Sequence, residues 1–178
     1  MTLKNVILRS SVYFFCGFFW LASCGIFTFQ GAEPPPEIKS FSIQEFYSEV
    51  ADAPPDMNQK LMEALETKLL QMTSLTREDK DGDIQYDGII TSFAYSTVWK
   101  DDKENPNSIP KEVKCLTIKV NVTYTNPFEE ENEFNKESFE GHAYMDTNDD
   151  QSTKEEELIN TIIRDLVDKI YTKSIDAW

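Results

Sequence analysis

Leu116-Thr-Ile-Lys-Val-Asn-Val-Thr-Tyr124 alternates without a break: Leu116, Ile118, Val120, Val122 and Tyr124 against Thr117, Lys119, Asn121 and Thr123. Successive side chains of a strand point to opposite faces, so the segment reads as a strand with one buried and one wet face. Strands of this kind build antiparallel sheets covered on one side. Asn126-Pro127 turns the chain, and Glu133 to Met145 reads as a more polar strand at an edge. Upstream, Ile84 to Trp99 is a long strand whose apolar parity changes: Ile84, Tyr86 and Ile90 share one face, Ile89, Phe93, Tyr95 and Trp99 the other. The change near Gly88 predicts a bulge or bend there. Residues 100–110, polar and carrying Pro106 and Pro110, form the loop between these two strands.

Helices flank this set. Met57, Leu61, Leu65 and Leu69 recur at steps of four, joined by Met62 and Met72, which makes one apolar stripe over Met57 to Met72. A stripe holding methionine can form a soft partner groove, but core packing on a sheet is the simpler expectation. Ala53-Pro54-Pro55-Asp56 ends a first strand at Ile38 to Phe46, with Asp56 placed to cap the helix. The last helix opens on Thr153-Lys-Glu-Glu156, a capping-box pattern, and buries Ile159, Ile162, Ile163, Leu166 and Ile170. The fold class is α+β: a four-stranded, mainly antiparallel sheet with both helices on one face, order β-α-β-β-β-α, in a single domain over 38–178.

The N-terminus has a different character. Lys4 and Arg9 precede an uncharged ten-residue run, Val12 to Leu21, which is too short to span a bilayer and suits a signal peptide. It closes on Leu21-Ala22-Ser23-Cys24, which resembles a bacterial lipobox. Residues 1–23 are therefore expected to be a lipoprotein signal peptide, with acyl chains attached at Cys24. Residues 24–37, with Pro34, Pro35 and Pro36, form a stiff spacer. Neither an Asp nor an acidic run follows Cys24, which favours the periplasmic side of an outer membrane. Cys16 leaves with the leader and Cys24 is acylated, so Cys115 has no partner within the mature chain. It is expected as a small half-buried residue, with a bond to another protein's cysteine as the alternative.

Charge narrows the function classes. The chain has 32 Asp and Glu against 17 Lys and Arg, a net −15. Losing Lys4 and Arg9 with the leader makes the mature chain −17. No broad basic face is available for DNA or RNA. The lone His142 sits in a strand between Gly141 and Ala143, and no nucleophile elbow, phosphate loop or zinc-protease motif is present. Asp79, Asp81 and Asp83 begin like a calcium loop but put Ile84 at the glycine position. Asp146, Asn148, Asp150 and Glu157 have ligand spacing but put Gln151 there. Solvated turns and a helix cap are the expected roles, with no enzyme activity, cofactor or metal.

Several stretches together resemble the Bacteroidetes-type LptE family of lipopolysaccharide-assembly lipoproteins. They are Cys24-Gly-Ile-Phe-Thr-Phe-Gln-Gly31, Leu65 to Leu75, Gly82-Asp-Ile-Gln-Tyr-Asp-Gly-Ile-Ile90, Leu116 to Asn126, and the closing helix from Glu157 to Trp178. The resemblance implies two helices on a four-stranded sheet and a non-enzymatic role. It implies pairing with the LptD β-barrel as a plug, and help in placing lipopolysaccharide in the outer membrane. Only the acylated Cys24 carries over residue by residue. Lys100, Lys103, Lys111 and Lys114 could form a local patch for the anionic glycolipid, although a solubilising loop is the plainer reading. The alternative is a periplasm-facing lipoprotein that activates a peptidoglycan synthase or forms part of a secretion pore.

Overall fold

A computed structural model describes residues 34–101 and 109–175. The expected signal peptide, Cys24, most of the expected spacer and Lys103 lie outside the described residues. The elements in chain order are β1 (Ser40–Ile43), β2 (Tyr47–Ser48), α1 (Met57–Met72), β3 (Thr76–Arg77), β4 (Ile84–Lys100), β5 (Lys111–Thr125), a 3-10 turn (Glu130–Asn132), β6 (Phe134–Asp146) and α2 (Gln151–Ser174). The sheet runs β3-β1-β4-β5-β6, with β2 also paired to β4.

The α+β class stands, and the sheet is corrected. Among the described residues it has six strands, not four, and it is mixed. β1 runs parallel to both β3 and β4, and β2 runs parallel to β4. The β4-β5 and β5-β6 pairs are antiparallel. The expected first strand breaks after the Gln44 amide, which still donates to the Tyr86 carbonyl at 2.8 Å, because Glu45 and Phe46 leave the ladder. Phe46 folds inward, fully buried, onto the space that Gly88 leaves open. A Cβ on Gly88 would stand 2.2 Å from the Phe46 ring. The bulge in β4 falls at Thr91, between the Ile90–Val120 and Ser92–Lys119 pairs, and not at Gly88. Parity therefore changes three residues later than expected: Ile84, Tyr86 and Ile90 face the core before the bulge, and Phe93 and Tyr95 after it.

One core lies between the sheet and the helices. Met57, Leu61, Leu65 and Leu69 of α1 and Ile162, Leu166 and Ile170 of α2 are buried against the even-numbered face of β5. Lys60 pairs with Glu156 at 3.6 Å and Lys68 with Asp168 at 2.7 Å, so the two helices run in the same direction. Tyr86, Tyr124, Phe134 and Phe139 form a row across three strands with ring centroids 5.0, 5.4 and 5.8 Å apart. The Tyr86 hydroxyl donates to Ser174 Oγ at 2.9 Å, tying the middle of the sheet to the end of α2. Burial holds the Tyr86 phenol well above its ordinary pKa, so it remains a donor.

The helix starts also differ from expectation. Asp150, not Thr153, caps α2, accepting from the Ser152 amide at 2.9 Å. Asp56 precedes α1 but makes no side-chain cap. Its carboxylate reaches forward to Lys60 at 3.0 Å instead.

Candidate functional site

β5 and β6 bring together, on the face away from the helices, residues that lie far apart in sequence. Thr117 and His142 are register partners, and Lys119 faces Glu140. His142 Nδ1 lies 3.0 Å from Thr117 Oγ1, and His142 Nε2 lies 3.0 Å from Glu140 Oε1. Lys119 Nζ meets Glu140 Oε2 at 2.6 Å. The Lys119 hydrogen bond holds the Glu140 carboxyl below its usual range, helped by the positive charge of Lys169. Cys115 is buried at the same face, a free thiol, with Sγ 4.0 Å from His142 Nδ1. That distance is longer than the Thr117 contact to the same nitrogen. Both ring nitrogens therefore already have oxygen partners, and the group is a cross-strand polar network rather than a nucleophile with its base. Cys115 is buried outside the main core. Strand parity places Cys115 and His142 on one face, but only the register between the strands shows that they meet.

The distal end of the β4–β5 pair holds Lys100, Lys111 and Lys114, expected to form a patch with Lys103. Lys100 and Lys111 are register partners. Lys100 reaches over the Tyr144 ring, 4.2 Å from its centroid. Lys111 is ion-paired with Asp146, which holds that carboxyl low and the ammonium high. Lys114 pairs in register with Thr97 and Met145, and its parity puts it on the opposite face from Lys100 and Lys111. Trp99 and Ile109 stand exposed at this same end, at 70% and 87%.

Each acidic cluster has a local structural role. Asp83 Oδ2 accepts from the Lys39 amide at 2.8 Å, the Ser40 amide at 3.0 Å and Ser40 Oγ at 3.1 Å. These bonds fasten the turn before β4 to the start of β1, and the Lys39 amide leads in lowering the Asp83 pKa. Asp150 caps α2, and Glu157 pairs with Lys154. Among the described residues, no group of three or more His, Cys, Asp or Glu is placed to hold a metal ion. The methionine stripe belongs to the core: Met57 is buried, and Met62 Sδ takes the Phe46 amide at 3.4 Å.

The module has two parallel helices on one face of a mixed sheet, with Thr117, Lys119, Glu140 and His142 bonded to one another on the other face. Its family follows from comparison: LptE, lipopolysaccharide-assembly, matches residues 38–174, and the chain belongs to that family. Membership supports a role in lipopolysaccharide assembly. Among solved structures, the chain is similar to a minor lipoprotein from Acinetobacter baumannii, at 14% identity and TM-score 0.44, covering 79% of this chain and 96% of that one. It is similar to lipoprotein B from Nitrosomonas europaea, at 14% identity and TM-score 0.46, covering 79% and 83%. It is also similar to rare lipoprotein B from Shewanella oneidensis, at 14% identity and TM-score 0.41, covering 76% and 95%. Comparison with the curated proteins gives no match.

Proposed function

We propose that this chain is an outer-membrane lipoprotein, acylated at Cys24, that pairs with an LptD-type β-barrel as a plug and assists lipopolysaccharide assembly from the periplasmic side. The observation that carries the reading is the family match, which takes in every described strand and both helices. The lipobox-like Leu21-Ala22-Ser23-Cys24 supplies the anchor. No helix among the described residues is long and apolar enough to cross a membrane. The glycolipid contact is assigned to the distal end of the β4–β5 pair. There Lys100 and Lys111 stand together, Lys114 lies on the other face, and Lys103 belongs to the connecting segment. Phosphate groups would compete with Asp146 for Lys111, so contact there would be sensitive to salt.

Depletion in the native host tests the role. Surface lipopolysaccharide is expected to fall while peptidoglycan cross-linking stays unchanged. Normal surface lipopolysaccharide with altered cross-linking would contradict the proposal and favour a synthase activator.

A further inference from the structure

β6 is the long edge of the sheet. β5 pairs with one side of it from Phe134 to Asp146, and no strand among the described residues pairs with the other. An unpaired edge offers a row of backbone donors and acceptors to an incoming strand. The Glu140 carbonyl on this strand already takes the Lys169 ammonium, at 2.6 Å. A groove of about 1060 Å³ lies between β6 and the C-terminal half of α2. Phe134 and Phe139 line it, and Glu131, Glu133 and Glu137 give it an acidic rim. Lys169 and Lys173 are its basic residues on the helix side, and Lys169 is also bound to Asp165 at 2.7 Å. Glu131 and Glu137 are exposed.

We propose that the β6 edge is a docking site for an extended, basic segment of a partner protein. The segment adds as a strand beside Phe134–Asp146 and sets its cationic side chains against Glu131 and Glu137. Charge selects this occupant. A second copy of the chain would bring the same acidic edge against itself, and like charges facing one another across strands are unfavourable. An anionic lipid surface is repelled for the same reason. Side chains of the added strand alternate, so the fitting sequence alternates basic with β-branched residues. This docking does not depend on the role in lipopolysaccharide assembly.

The test uses the full chain in detergent micelles and a fluorescent peptide alternating arginine with valine. A second peptide carries glutamate in place of arginine. Anisotropy reads binding, and amide hydrogen exchange reads where the peptide lies. The arginine peptide is expected to bind and to slow exchange along β6. The double variant Glu131→Lys, Glu137→Lys is expected to weaken binding by about tenfold or more. The milder pair Glu131→Gln, Glu137→Gln gives a smaller loss and serves if charge reversal disturbs folding. No binding, equal binding of the glutamate peptide, or binding without protection of β6 would each overturn the proposal.

Discussion

Asp83 shows how one side chain fixes a chain path. It holds two backbone amides and one hydroxyl of the β1 start, across more than forty residues of sequence. Asp83→Ala leaves those donors without their acceptor and should cost about 1–2 kcal/mol, after discount for solvent around a partly exposed carboxylate. The pH dependence has a definite sign. The folded pKa lies below the ordinary carboxylate value. The contribution is therefore full above the unfolded pKa and disappears as pH falls through the folded one. Urea titrations at neutral and acid pH should show the gap between parent and variant closing on acidification. A gap independent of pH would contradict this. Gly88 is the second such residue. A methyl group there meets the Phe46 ring, so Gly88→Ala should cost about 1–3 kcal/mol, read as a lower denaturation midpoint. Sequence marks Gly88 as special but not why. The parity change near it comes from the bulge at Thr91, while the glycine makes room for a residue 42 positions upstream, a relation no local pattern records.

At the scale of elements, periodic segments were readable and short ones were not. The α1 bounds match the apolar stripe, and β5 contains the alternating segment read from sequence. β2 and β3 have two residues each and hold their places through β4 and β1, so they have no period of their own. The parallel pairing of β1 has the same origin, because it follows from the return of the chain through α1. The start of α2 misled because Thr153-Lys-Glu-Glu156 fits a capping box while Asp150 caps the helix earlier. The hold of α2 on the sheet is testable. Ile162 is fully buried, and its Cγ2 would stand 2.6 Å from a Cβ on Gly141. Ile162→Ala should cost about 2–5 kcal/mol by leaving a cavity at this close approach. An unchanged unfolding midpoint would show that the α2 contact with β6 contributes little.

For the molecule as a whole, charge and the proposed anchor set the context. A chain at −15, or −17 without the proposed leader, needs a partner or a local patch near anionic glycolipid, and the distal lysines stand beside acids that partly offset them. The polar network around His142 shows where sequence reading stopped. Cys115, Thr117, Glu140 and His142 each look unremarkable alone, and only the β5–β6 register brings them together. Cys24→Ala should move the protein from the membrane to the soluble envelope fraction while the domain stays folded. Membrane retention of the variant would locate the anchor elsewhere. The proposed role stands or falls on partnership with a barrel. Affinity purification from native envelopes in mild detergent, through a C-terminal tag, tests it most directly. A large outer-membrane β-barrel protein recovered in stoichiometric amount is the predicted result. Recovery of peptidoglycan synthases, or of self-assembled rings without a barrel, would contradict it.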